Sequence, residues 1–245
     1  MVRFEPNDMS LLKSNSIFEE ILRKDSCLKF HQKMDGHHID VSYKFSMNYN
    51  GKMSKVDDLV IPAAETNIFV ATGIPAEGEI WFKGTSLDLG ECGKFLTEVY
   101  KDVKLSTGIP RACINEKDDE LLKVIQRYFT CEGRFNMVYA YHIRILMHFR
   151  GVKMLNLSYF LHKSLGKMSN KIQSNPESFS SHIFRCGLIG LLIVKELAKR
   201  RRTWGPFLEK LGYHPIPPVP LKERGTSLSQ EGKVNGMPKK RKQSE

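Results

Sequence analysis

The chain lacks paired cysteines. Its five cysteines, Cys27, Cys92, Cys113, Cys131 and Cys186, are odd in number and scattered, with no Cys-x-x-Cys among them. That spacing fits neither a disulfide framework nor a paired zinc motif, and Met1 to Pro6 carries charge and a proline instead of an apolar stretch. Reduced thiols in the nucleus or cytosol are the expectation. Long apolar runs are also missing. The strongest, "CGLIGLLIV" at 186–194, is bracketed by Arg185 and Lys195. It is far short of the roughly twenty residues that span a bilayer, so it reads as a buried helix and no membrane partner is expected.

Glycine-rich phosphate loops are absent too. "VATGIPAEGEIWFKG", residues 70–84, holds Gly73, Gly78 and Gly84. Their spacing matches neither G-x-G-x-x-G nor a Walker A loop, which would wrap backbone N–H groups around a phosphate. The stretch reads as punctuation. A short helix through "AAETNIFVATG", with Ile68 and Phe69 inward, stops at Gly73 in the left-handed cap position, and Pro75 forbids its continuation. Trp81 and Phe82 then pin the loop to the core. The same Thr-Gly-Ile-Pro recurs at 107–110 as a second use of one stop signal.

No catalytic set can be assembled, and no cofactor or metal is expected. His142 falls at core spacing within a helix and has no Ser or Cys partner. Cys27, His31, His37 and His38 lie close in sequence but match no finger spacing. Asp57 and Asp58, read on a strand, point to opposite faces and cannot share one ion. Asp118, Asp119 and Glu120 read as helix-start charges.

What is present is helix and positive charge. Ser16 and Glu19 form a capping-box pattern before Ile17, Phe18, Ile21 and Leu22, and a second short helix follows from Ser26 to Met34. Ile39, Val41, Tyr43, Phe45 and Met47 alternate with polar residues, the period of a strand. Asn50-Gly51 then supplies a tight turn, and Val56 to Ile61 the return strand. From Asn115 to Gly212 the pattern is helical. Segments run from Asn115 to Gly133, from Phe135 to Phe149, through Leu157–Ile172 to Asn175-Pro176, from near Ser181 to about Arg202, and from Gly205 to Leu211. The predicted fold is mainly α: a multi-helix domain over residues 1–213 with one antiparallel β-hairpin in its N-terminal third. Residues 214–245, opening on "HPIPPVP", have no periodicity and read as a disordered basic tail.

Lys and Arg number 38 against 27 Asp and Glu, a net charge of +11. Anionic partners are therefore the class to consider, nucleic acid first. "KELAKRRR" places Lys195, Lys199 and Arg202 on one helical stripe with Arg200 and Arg201 beside it, and these five are the candidate nucleic-acid contacts. "PKKRK" sets Lys239, Lys240, Arg241 and Lys242 in the tail, where an import receptor can reach them. A nuclear location follows from that run, with the cytoplasm as the alternative.

Three long stretches carry a family resemblance: "KFHQKMDGHHIDVSYKFSMNYNGKMSKV", "VATGIPAEGEIWFKG" and "LLKVIQRYFTCEGRFNMVYAYHIRILMHFRGVKMLNLSYFLHKSLGKMSNKIQ". Together, over roughly residues 28 to 200, they resemble the plant transposon protein domain, found in open reading frames derived from mobile elements. The resemblance implies mobile-element ancestry but brings no catalytic or binding residues with it. The chain shows no Asp-Asp-Glu triad, no gag-type Cys-Cys-His-Cys knuckle, and no reverse-transcriptase or aspartic-protease signature. Two readings stand. One is a non-catalytic nuclear protein that binds nucleic acid or protein through basic surface. The other is a divergent polynucleotide-processing enzyme whose carboxylates converge only in three dimensions.

Overall fold

A computed structural model describes residues 39–81, 92–97, 108–130, 136–177 and 186–213. The described part is mainly helical. It has seven α-helices and, near its N-terminal end, one two-stranded antiparallel hairpin. The expected helices at 16–34, the Cys27–His38 cluster and the basic tail lie outside the described residues.

The first element overturns an expectation. Residues Ile39–Met47 form a helix, α1, and not a strand. Its buried positions are Val41, Ser42, Phe45 and Ser46, a helical set of i, i+1, i+4 and i+5. Two serines that look like outward strand positions are packed inward. Ser46 satisfies its hydroxyl by donating to the Ser42 carbonyl one turn back, at 2.8 Å. Asn50-Gly51 is accordingly no hairpin tip. Asn50 Oδ1 accepts from the Lys52 and Met53 backbone N–H groups at 3.1 and 3.0 Å, and Gly51 sits at φ +93°. Together they bend the chain from α1 into β1.

The hairpin itself is β1 (Met53–Val56) and β2 (Leu59–Pro62), registered Met53 to Pro62 and Val56 to Leu59. Ser54, Val56, Leu59 and Ile61 face the core, while Met53, Lys55 and Val60 face out. Asp57-Asp58, expected on the return strand, forms the tip, with Asp57 in the left-handed region at φ +54°.

Helix α2 (Glu65–Thr72) ends as expected. Gly73 adopts φ +80° and its N–H caps the Phe69 carbonyl at 2.7 Å. Ile68 is buried, but Phe69 points out, contrary to its expected inward place. Beyond α2 the punctuating stretch closes a seam. Glu79 N–H donates to the Met154 carbonyl at 2.9 Å and Asn156 N–H to the Glu79 carbonyl at 3.0 Å. Trp81 stacks on Phe160, ring centroids 5.9 Å apart and the planes within 3°. Phe82 lies outside the described residues.

Glu116–Val124 form α3, which continues as a π-helical turn over Ile125–Thr130. Asn115 occupies the cap position, yet its amide donates to the Lys94 carbonyl and not to the helix. Asp119 pairs with Arg111 and with Lys123, the latter at 3.3 Å. The Arg111 hydrogen bond holds the Asp119 carboxyl below the usual range. A depressed folded-state value stabilises the fold above the unfolded value of about pH 4 and is lost as pH falls through the folded one. Arg111→Met is thus expected to lower stability at pH 7 while making the loss from pH 5 to pH 2 shallower. Denaturant titrations at those pH values test this.

Strand β4 (Met137–Val138), paired with β3 (Ile109–Pro110), occupies positions expected to begin a helix at Phe135. The pairing extends through the Arg111 N–H, which donates to the Asn136 carbonyl at 2.9 Å, and the helix starts only at α4 (Ala140–Phe149). His142 is fully buried and structural. Its Nδ1 accepts from the Tyr139 N–H at 3.0 Å, leaving Nε2 to donate to Thr130 Oγ1 at 3.1 Å. That stitches the π-turn to the start of α4.

The last three helices are α5 (Leu157–Ser174), α6 (Cys186–Lys199) and α7 (Trp204–Lys210). Leu157, Phe160, Leu161, Leu165, Met168 and Ile172 of α5 are buried on one face, as their spacing predicts. Helix α5 packs on α1 and α2, and α6 packs on α1, α2 and β2. Helix α3 packs on α4, and all contribute to one contiguous core. Cys92 and Cys113 are buried. Among the described residues no helix is long and apolar enough to cross a membrane.

Candidate nucleic-acid interface

The run expected to bind phosphate sits where α6 ends. Arg201 breaks the helix in the left-handed region at φ +55°, and Arg202 N–H returns to the Leu197 carbonyl at 2.9 Å. Much of its charge is already answered within the protein. Lys199 Nζ donates to Glu196 at 2.6 Å. Arg202 donates to the Asp58 carboxylate at 2.9 Å and lies over the Phe207 ring. Arg200 donates to the Asp58 carbonyl at 3.2 Å. Lys210 joins from α7, reaching Asp57 at 2.8 Å and Asp58 at 3.4 Å.

The two aspartates at the hairpin tip therefore face the same cations, because a tight turn does not separate neighbours as a strand would. The Arg202 hydrogen bond holds the Asp58 carboxyl below its usual range, and Asp57 raises the Lys210 ammonium. This cluster latches the hairpin to the end of α6. Lys195, Arg200 and Arg201 are the cations of the run with no ion pair among the described residues, and of these Arg200 is held by the Asp58 carbonyl. Burial, then the nearby Lys199, pushes the Lys195 ammonium down.

A second basic surface lies on α5, where no dense basic run marks it in the sequence. The exposed side of α5 carries Lys163, Lys167 and Lys171 at four-residue intervals, all exposed, about 6 Å apart along the axis. Helix α5 contains no aspartate or glutamate, so none of the three has a carboxylate one turn away. None forms an ion pair among the described residues. Like charges at this spacing oppose each other, by a few tenths of a kcal/mol per pair in exposed helices. A bound polyanion would relieve that repulsion.

The three lysines line an open cleft of about 720 Å³, with Asn170 beside them and Tyr49 and His162 deeper in. No carboxylate lines it. Its far wall is the bend at Gly51 that joins α1 to β1. The inner wall is fixed by hydrogen bonds. Tyr49 OH donates to the Gly51 carbonyl at 3.0 Å, and His162 Nδ1 donates to the Ala63 carbonyl at 2.9 Å. Burial pushes the Tyr49 hydroxyl up to about 12, so it stays a neutral donor. Gln173, on the same helix, donates to the Ser46 and Tyr49 carbonyls at 2.8 and 2.9 Å, clamping the end of α1 against α5.

Asp57, Asp58, Asp118 and Asp119, by contrast, are committed to arginine and lysine. Asp118 is held by Arg150 at 2.7 Å, Asp119 by Arg111, and Asp57 and Asp58 as described above. Among the described residues no three His, Cys, Asp or Glu side chains converge as a metal-binding group.

No protein-family model, curated protein or solved structure matches the chain. The reading of its function therefore rests on its own residues.

Proposed function

We propose that the chain is a non-catalytic, nuclear protein of mobile-element ancestry that binds nucleic acid through its phosphate backbone. The observation that supports this best is the α5 surface: three exposed lysines in a row, on a helix without a single acid, beside a cleft without a carboxylate. Lys195 and Arg201 add a secondary basic patch. Of the other cations of that patch, Lys199 pairs with Glu196 on its own helix, while Arg200 and Arg202 hold the hairpin tip.

Each phosphate neutralised by a lysine releases condensed counterions, so affinity falls with salt. Three contacts predict a log–log slope of about −2 on a single strand and about −3 on a duplex. Replacing Lys163, Lys167 and Lys171 together by Ala is expected to weaken binding at low salt by at least tenfold and to bring the slope toward zero. Arg201→Ala is expected to change affinity less than threefold. Titrating a labelled oligonucleotide at several salt concentrations reads both. Wild-type binding that is absent at low salt, or indifferent to salt, would remove the proposal.

The nuclear part rests on Lys239, Lys240, Arg241 and Lys242. Replacing these four by Ala in a fluorescent fusion too large for passive entry is expected to abolish nuclear accumulation. Unchanged accumulation would make the run a solubilising tail.

A further inference from the structure

We infer that the α5 cleft is a site for single-stranded nucleic acid, with Tyr159 as the platform on which a base stacks; this rests on the proposed phosphate binding and names its substrate class. Tyr159 continues the lysine row by one step. Residues 159, 163, 167 and 171 follow each other at intervals of four, so an aromatic ring heads a line of three cations. The ring is half-buried, and its backbone is anchored because Tyr159 N–H donates to Asn156 Oδ1 at 2.8 Å. Lys163 Nζ lies 5.3 Å from the ring centroid, so ring and cleft adjoin through that lysine.

A cationic groove that follows the backbone, with an aromatic ring to receive a base, is the combination that holds a single strand without reading its sequence. A duplex keeps its bases stacked inside and has no face to offer Tyr159. It is also rigid, and it presents its phosphates on a convex surface. The lysines instead stand on the wall of a concavity whose opposite side is the bend at Gly51. A flexible strand can enter and follow that wall. On binding, Lys163 would swing from the ring to a phosphate and leave the ring face open to the base. Asn170, exposed between Lys167 and Lys171, adds a neutral donor and acceptor along the path.

The test uses the full chain with a labelled oligothymidylate of about 12 nucleotides, a length within the range of known single-strand sites. A duplex of the same length and unlabelled polyglutamate serve as comparators. The inference predicts that the single strand binds more tightly than the duplex. Tyr159→Ala should weaken single-strand binding roughly tenfold and leave the duplex unchanged, since stacking on one ring is of that order. Tyr159→Phe, which keeps the ring, should bind like wild type and shows that a loss in the Ala variant is not misfolding. Equal affinity for both forms, or equal losses on both in Tyr159→Ala, would overturn the single-strand assignment and leave backbone binding intact. Displacement by polyglutamate as readily as by oligothymidylate of equal charge would overturn it in favour of an acidic protein partner. Binding of neither nucleic acid would remove both readings.

Discussion

Arg150→Met is expected to cost the fold about 3–5 kcal/mol, the largest loss foreseen for a single side chain. Arg150 follows the last residue of α4 and reaches across to the third residue of α3. There its Nε donates to Asp118 Oδ1 at 2.7 Å and its Nη2 to the Lys117 carbonyl at 2.7 Å. The Asp118 side chain is 1% exposed, and its Oδ2 has no hydrogen-bond partner. Without the guanidinium a carboxylate would be left buried in the core with only the α3 N-terminus to favour it. Methionine preserves the packing of the stem, so the loss isolates the charge. Pairing the change with Asp118→Leu should recover much of it, because a buried ion pair is often no more stable than apolar residues of similar size. Denaturant unfolding with an unchanged m-value measures both variants. A loss below about 1 kcal/mol would mean that Asp118 reaches water.

Gly78→Ala is the second large effect, at about 2–3 kcal/mol. Gly78 sits at φ +103°, where an L side chain is strained, and an added Cβ would lie 2.7 Å from the Met154 carbonyl oxygen. The three nearest atoms all belong to the backbone of Met154 and Leu155, so backbone must move. What moves is the seam that joins residues 78–79 to 154–156, just ahead of the α5 cap at Asn156. Gly205 is the contrast. It lies within α7 with nothing within 4 Å of an added Cβ, so Gly205→Ala should be neutral or stabilise by up to about 1 kcal/mol. Thermal unfolding of the two variants side by side separates a conformational requirement from a general intolerance of alanine.

These two sites show which parts of the molecule the sequence discloses. The span of α5 was legible because its apolar residues repeat over several turns up to Asn175-Pro176, and the end of the shorter α7 because Gly212 follows it. Gly73 was legible because a left-handed cap needs glycine. Helix α1 was not. Its apolar residues satisfy a two-residue period, and only tertiary packing on α5, α6 and β1 shows that Ser42 and Ser46 are interior. Reading α1 as a strand puts the hairpin turn at Asn50-Gly51, whereas it lies at Asp57-Asp58. That reading also hides the charge latch, since adjacent aspartates converge only at a tip. The β4 start was missed because its partner, Ile109–Pro110, lies far away in sequence.

The site was half legible. The spacing of Lys163, Lys167 and Lys171 and the lack of acid in that helix can be read from the sequence, but the denser run at 195–202 draws the eye first. Its density misleads, because three of its five cations are answered by Glu196 and by Asp58. The opposing wall of the cleft could not be read at all. It forms only because Gln173 clamps the end of α1 against α5.

Lysine footprinting addresses the central claim most directly. The full chain is acetylated briefly with and without a saturating oligonucleotide, at low and at high salt, and the modified lysines are quantified by mass spectrometry. Lys163, Lys167 and Lys171 are expected to be protected by nucleic acid at low salt and reactive again at high salt, while Lys199 and Lys210 keep their reactivity throughout. Protection confined to the end of α6, with the three α5 lysines equally reactive in both states, would contradict the account.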